Sequence, residues 1–520
     1  MEKYRACERG TSLFKENGLK WLHIYPDSYE KGMLNIGFQI IWQFLNSIPG
    51  ISCERGFFSP SRLSVETERR MSEFKVISFS LSYESMFPNF VEMLIKEQIE
   101  PIGLKRDYPL ILGGGFSPTY NPELIAPVAD VIFIGDNLNT LRKVAEIIRE
   151  GIKRGEKKKK ILEKMVKIKG VYLPSFYSHP SNKLPRRKDA RVPCRVKKET
   201  SNSFCPSLPF IISPRSEWPE FGFLEISRGC NFRCNFCVLS CCHFPQRFKP
   251  LSTICREAKR MRKTTPYVRL VSPSEFMHPS ILSILRYLKL RMKFKKVIVG
   301  SQRPDYVKKE LIKFIDNDVF TLAPETHEKL RFKIGKHVSD KCFIKSIKLV
   351  ASLPTVKKIR CFIMVGFPGE KENDRRNLRA FLEKLGNVIQ GYGKEFEISI
   401  NSHMKMPHTP FQWDAQERWE TYKERIDELN GLGEIKRMEK DQIEVVGVME
   451  RGDFKVGEAV IEWVKKGRGL RRWYSILNSL GGVERFFQKR DEKELQPWEI
   501  SCLVPRKELI EKRRIYFTQV

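Results

Sequence analysis

Short apolar runs alternate with stretches of helical spacing from residue 19 to about 150. LKWLHIY (19–25), FKVISFSLS (74–82), YPLILGGG (108–115) and DVIFIGD (130–136) read as strands, each a compact apolar run bounded by turn-forming residues. GMLNIGFQIIWQFLNSI (32–48) and the segments around 88–99 and 138–150 carry apolar residues at helical spacing, and PELIAPVA (122–129) reads as a short helix. Strands alternating with helices predict a parallel, doubly wound, Rossmann-like sheet over 1–150. Such a sheet binds ligands beyond the carboxyl ends of its strands.

The pattern breaks at 151–220. Lys153 to Lys169 holds nine basic and two acidic residues, Lys183 to Lys198 eight basic and one acidic, and eight prolines punctuate residues 174–219. This composition predicts a basic linker rather than a packed domain. From 221 the alternation resumes with FGFLEIS, YVRLVS, KKVIVGS, DVFTLA, KIRCFIMVG and EFEISIN, each followed by a helical pattern. Six βα units over 221–431 predict an incomplete (βα)6 TIM-like barrel, with its chemistry at the carboxyl ends of the strands. Residues 432–520 form a mixed, basic C-terminal region. The fold class is α/β throughout.

Composition narrows the choice of partners more than the choice of fold. The 520 residues are 41% hydrophobic and 30% charged, which excludes a disordered chain. No apolar stretch is long enough to cross a bilayer, and the first residues lack the apolar core of a signal peptide, so a cytoplasmic protein is expected. A formal net charge of +32 favours RNA, an acidic protein or anionic lipid as partners, or simply a lysine-rich surface. Thirteen cysteines in such a chain are no disulfide framework, and their crowding between Cys230 and Cys242 points to a metal.

That crowding is ordered. Directly after the first barrel strand, Cys230, Cys234 and Cys237 follow a C-x3-C-x2-C spacing on one loop. Thiolates are soft ligands suited to iron–sulfur clusters or to zinc. Three of them on a four-iron cluster leave one iron open for a chelating ligand. Cys241, Cys242 and His243 offer a fourth ligand for a closed zinc site, which would make the chain a nucleic-acid-binding protein with a structural zinc loop.

The loop, with aromatic Phe236 just before the third cysteine, resembles that of the radical S-adenosylmethionine (SAM) enzymes. The resemblance extends to the subgroup with an N-terminal cobalamin-binding-like domain, through Tyr25–Met33, Cys53–Phe57, Phe79–Glu84, Gly113–Gly115, Ala323–Glu325, Gly366–Gly369, Pro407–Trp413 and Arg451–Asp453. It implies a [4Fe–4S] cluster on the three cysteines, SAM on the open iron and a low-potential electron donor. It also implies roles at the other strand ends, beginning with Ser272 and Ser274 for the SAM ammonium. Ser301 and Arg303 would meet its carboxylate, Glu325 its ribose and Gly366 its adenine.

Cobalamin domains with a lower-ligand motif use Asp-x-His-x-x-Gly, where this chain has Asp27-Ser-Tyr29-Glu-Lys-Gly32, so cobalt would meet a Tyr there or have no protein ligand on that face. Tyr29, Ser80, Gly113, Gly114 and Gly115 are the candidate cobalamin contacts, against a sheet that keeps the fold and binds nothing. With cobalamin, the expected reaction is methylation of an unactivated carbon. Without it, the radical serves another reaction. His403 and His408 near the last barrel strand are candidate acid–base groups against a plain chain reversal. Trp463, Trp473 and Tyr474 among basic residues suit stacking on single-stranded RNA or, equally, an amphipathic helix.

Overall fold

The computed structural model describes residues 1–201, 204 and 210–518. The chain divides into two compact units: Met1–Glu220 with Val445–Phe486 and Asp491–Pro505, and Phe221–Glu444 with Phe487–Arg490 and Arg506–Val520.

The first unit is built on a six-stranded sheet of β1 (Leu19–Ser28), β2 (Ile51–Ser59), β3 (Val76–Leu81), β4 (Leu110–Gly115), β5 (Val131–Phe133) and β6 (Val171–Tyr172), in the order β2-β1-β3-β4-β5-β6. All neighbours are parallel except the β5–β6 pair. Strand β2 has no counterpart among the expected strands, because its centre carries Glu54 and Arg55. Both are buried, and Arg55 pairs with Glu8 and Glu66 at 2.7 Å each, so an ion cluster sits where an apolar run would have signalled a strand. The expected helix over 122–129 is only a 3-10 turn, Pro122–Leu124, preceded by the helix Phe116–Tyr120. Pro122 fits a first helical position, but Pro127 lacks the N–H that would bond the Glu123 carbonyl, so the helix cannot continue.

The described residues of 151–220, expected as a linker, cluster with this unit. The helix Lys158–Glu163 follows the sheet's last long helix, Leu138–Lys153; Lys158 Nζ pairs with Asp130 at 2.6 Å, and β6 extends the sheet. Residues 202, 203 and 205–209 of this stretch lie outside those described. The two C-terminal tryptophans are core rather than platform, while Tyr474 is half-buried. Trp463 and Trp473 are buried 5.2 Å apart, and the Trp463 indole donates to the Gly469 carbonyl at 3.0 Å, so neither indole presents a face for a base.

The second unit contains all six expected barrel strands: β7 (Phe221–Glu225), β8 (Tyr267–Val271), β9 (Lys296–Ile298), β10 (Val319–Glu325), β11 (Lys358–Val365) and β12 (Glu395–Ser402). A seventh, β13 (Glu434–Arg437), lies parallel beside β12. β7-β8-β9 and β10-β11-β12-β13 form two parallel sheets linked by a bridge between Gln302 and Leu322, and the barrel is not closed. β11 shows the logic of the wall. Ile359, Cys361, Ile363 and Val365 are buried, while Lys358, Arg360, Phe362 and Met364 on the opposite face are half-buried. Among the described residues no helix is long and apolar enough to cross a membrane.

Candidate functional site

The three cysteines stand where β7 ends. A two-residue strand, Ser227–Arg228, pairs back with Arg247–Phe248, so the intervening segment becomes a closed loop. Gly229 (φ +80°) and Arg233 (φ +49°) turn the chain through the left-handed region, and Cys237 ends the loop as N-cap of the helix Val238–His243. Cys230, Cys234 and Cys237 are free thiols, half-buried. Burial pushes the Cys234 thiol up to about 12, against the opposing charges of Lys336 and Arg303, and raises that of Cys237.

The loop is braced from both sides. The Asn235 amide nitrogen donates to the Ile334 carbonyl at 2.9 Å and its side chain to the Lys333 carbonyl at 3.2 Å. Phe236 packs on the cluster of Leu330, Ile334, Phe367, Phe411 and Tyr516. The guanidinium of Arg303 lies 3.6 Å above the ring of Phe232, within the loop itself. This donor set suits an iron–sulfur cluster: three unbridged thiols on one short, anchored loop, with backbone turning around them.

The expected SAM residues occupy the neighbouring strand ends in the same unit. Ser272 after β8 hydrogen-bonds Ser227 before the loop, and the Ser274 hydroxyl donates to Gln302 Oε1 at 3.2 Å. Ser301 is half-buried beside them. Arg303 also forks onto Asp305 at 3.0–3.1 Å. Glu325 closes β10 at φ +67°, its Oε1 accepting from Lys336 Nζ at 2.8 Å. Gly366 follows β11 at φ +86°, but a Cβ there would collide with Glu417, so the space it leaves is filled by a carboxylate of this chain. The close approach of an adenine, expected from the bare glycine, is not what that side of Gly366 provides.

Two residues of this region escape a reading of motifs alone. Gln302 is buried between Ser301 and Arg303, and its side chain joins Ser274 to Glu275. Glu275 also accepts from the Gly300 amide at 3.1 Å, and burial pushes its carboxyl up to about 7. Together they tie the ends of β8 and β9. An isolated Glu and Gln carry no signal of this in sequence. His403, weighed as an acid–base candidate, lies buried in a stack on Phe367. His408 at φ +59° sits in the following turn, its amide donating to Gln412 at 2.9 Å and its carbonyl accepting from the Cys241 thiol.

The candidate cobalamin residues of the first unit sit less openly. Tyr29 is fully buried, and its hydroxyl donates to Glu8 at 2.7 Å and meets Ser213 at 3.0 Å. Burial and the Glu8 charge raise its pKa, which works against the tyrosinate that would bind a metal, so the phenol does not suit a cobalt ligand. Ser80 meets His23 at 3.3 Å. A Cβ on Gly113 would collide with Ile125, and one on Gly115 with the Leu81 carbonyl, whereas Gly114 is half-buried with room beside Phe133.

With that geometry in view, family comparisons give a consistent answer. A model of the N-terminal domain of radical SAM proteins matches residues 37–174, and one of the radical SAM superfamily matches 224–382. The chain is a member of the radical SAM superfamily, whose cofactors are a [4Fe–4S] cluster and SAM. Within it, the chain carries the N-terminal domain as well as the barrel. An uncharacterised protein of Methanocaldococcus jannaschii is 25% identical over 398 residues, 75% of this chain and 78% of that one. The ribosomal protein uS12 methylthiotransferase RimO of Elusimicrobium minutum is 27% identical over 38% of this chain and 51% of its own. Among solved structures, the cobalamin-dependent radical SAM enzyme OxsB, with aqua-cobalamin and SAM bound, matches at TM-score 0.50 and 14% identity, covering 89% of this chain and 71% of that one. That likeness is one of fold.

Proposed function

We propose that the chain is a radical SAM methyltransferase acting on an unactivated carbon, with cobalamin carried by its first unit. The observation that supports the radical step is the anchored loop of Cys230, Cys234 and Cys237 at the end of β7, ringed by polar strand ends. When bound, the cluster supplies one electron to SAM and breaks its sulfur–C5′ bond, giving methionine and a 5′-deoxyadenosyl radical. The chain's own groups bind and orient. Arg303, held by Phe232 and Asp305, offers its remaining N–H groups to the methionine carboxylate. The second carboxylate oxygen of Glu325 is available to ribose hydroxyls while Lys336 holds the first. Ser274 and Gln302 fix the strand ends on which these groups sit.

Cobalamin, which supplies a methyl group when bound, would lie at the carboxyl edge of β3 and β4, where Gly114 and the exposed Tyr83 leave room. Tyr29 is too committed to serve as its ligand. The RimO relatives favour a second reading, transfer of a methylthio group, which calls for an auxiliary cluster.

Anaerobic reconstitution followed by reduction in the presence of SAM tests both. We expect about four irons per chain, formation of 5′-deoxyadenosine, and loss of both in the Cys230→Ala, Cys234→Ala, Cys237→Ala variant. S-adenosylhomocysteine appearing only with added cobalamin supports methyl transfer. A second cluster's worth of iron supports methylthio transfer instead. Uptake of a single zinc with SAM left intact overturns the radical assignment.

A further inference from the structure

Two basic runs of the first unit meet on one face. Lys153 to Lys169 holds nine basic and two acidic residues, and Lys183 to Lys198 eight basic and one acidic. The helix Lys158–Glu163 buries Ile161 and Leu162 and leaves Lys157, Lys159 and Lys160 around its start exposed. The Arg191 guanidinium stands 3.8 Å from Glu163 at the end of that helix, so the second run lies beside the first. The second run is held in place rather than trailing. Its strand Arg186–Arg187 pairs antiparallel with Tyr177–Ser178, and the Lys188 amide donates to the Phe176 carbonyl at 2.8 Å. At the tip of this hairpin the Asn182 amide donates to Asp453 at 2.5 Å, and the Ser181 hydroxyl accepts from Arg485 at 2.9 Å. His179, just before the tip, stacks 4.2 Å from Phe454.

The few acidic residues of the two runs are already engaged. Glu156 pairs with Lys164 and lies 3.8 Å from Lys160, Glu163 meets Arg191, and Asp189 accepts from Arg191 at 2.6 Å. Lys157, Lys159, Lys183, Arg186, Arg187 and Lys188 are exposed, and among the described residues none has a carboxylate within ion-pair distance. Like charges fixed on a folded face repel one another, a cost that a polyanion lifts. The make-up of the face selects among polyanions. No large apolar side chain is exposed among the described residues of either run. A protein partner would need a buried aromatic or aliphatic anchor, and stable seating on a lipid surface needs apolar groups to enter it. Single-stranded nucleic acid is gripped by exposed aromatic rings on which its bases stack, and the face has none. The backbone phosphates of a double helix ask only for fixed cations, with arginine suited to two-pronged contact.

We propose that this face, formed by residues 157–164 and 183–191, binds the phosphate backbone of a double-helical nucleic acid without reading its sequence. This partner goes beyond the reaction assigned to the second unit and does not depend on it.

The test uses the full chain with short RNA and DNA duplexes of two unrelated sequences, the matching single strands, poly-glutamate, and phosphatidylcholine vesicles containing phosphatidylserine. Binding is followed over a range of salt by fluorescence anisotropy and by vesicle sedimentation. The two sequences of a duplex should bind alike, with log Kd rising linearly with log salt at a slope of about 4, as for four to five engaged phosphates. Tighter binding of the RNA duplex or of the DNA duplex supports the proposal equally and names the source of the phosphates. A chain carrying Arg186→Gln, Arg187→Gln and Lys188→Gln should bind duplex at least tenfold more weakly at about 0.1 M salt, with the slope lower by about 2–3. These side chains are exposed, so its melting temperature should hold. Lys309→Gln, Lys345→Gln and Lys348→Gln remove the same charge from exposed positions of the second unit and should leave affinity and slope nearly unchanged. Equal losses in the two triple variants would mean that net charge alone is at work, and would overturn the proposal. So would tighter binding of the single strand than of the duplex, a preference for poly-glutamate, binding to the vesicles alone, marked discrimination between the two sequences, or no binding at all.

Discussion

At the residue scale, the barrel unit leans on one buried cation. Arg331 is fully buried and donates to the carbonyls of Pro324, Thr326 and Val338 and to Asp340 at 2.9 Å, between the rings of Phe343 and Phe381. The carbonyls of Pro324 and Thr326 flank Glu325, so Arg331 holds the turn that presents it. Removing the cation strands several buried acceptors, and Arg331→Met should cost about 3–5 kcal/mol in urea unfolding. A second residue-scale test concerns pH. His23 is buried against Phe38 with Ser78 and Ser80, and burial pushes its imidazole down to about 3. Unfolded, it takes up a proton near 6.5; folded, it does not until about pH 3. The stability tied to His23 is therefore complete above 6.5 and falls as pH drops from 6.5 toward 3, by up to about 1.4 kcal/mol per pH unit. Urea midpoints at pH 7, 6 and 5 should show the slope, and His23→Gln should flatten it.

At the element scale, the strand ends are where backbone and chemistry meet. Gly366 sits at φ +86° with Glu417 filling its Cβ side, so Gly366→Ala is both strained and crowded and should destabilise by about 1–3 kcal/mol. Gly222 on β7 is the contrast. An added Cβ there crowds the buried Met261, but the backbone is not in the left-handed region, so Gly222→Ala is crowded without being strained and should shift the melting temperature less than Gly366→Ala. An equal shift in the two would show that backbone conformation is not what the turn after β11 depends on. The barrel strands were legible because β7, β8, β10 and β11 alternate or run apolar between clear turns. β2 was not, since its Glu54 and Arg55 are neutralised by partners distant in sequence.

At the scale of the whole molecule, each unit has its own sheet and its own candidate ligands, which separates their responses. Ligands that bind only the folded state slow local opening where they bind. Cluster assembly with SAM should therefore slow hydrogen exchange most over 228–243 and 323–338 in the second unit. Hydroxocobalamin should slow it over 80–84 and 113–117 in the first, and unchanged exchange there would leave the first unit without cobalamin at that edge.

The cysteine spacing, the six barrel strands that run apolar or alternate, and the alternation of elements are local properties, and the sequence by itself determined them. Three thiols within eight residues share one short stretch of chain whatever surrounds them, and a compact apolar run between turn residues signals a strand locally even though its pairing partner is distant. The tertiary structure alone decided the rest. It committed Tyr29 to Glu8 and Ser213, folded 151–201 onto the first unit, and turned Trp463 and Trp473 into core. It also set Arg191 beside Glu163, which joins two separate basic runs into one face. A side chain's free hydrogen-bonding capacity depends on which remote groups packing delivers to it, and no local pattern encodes that.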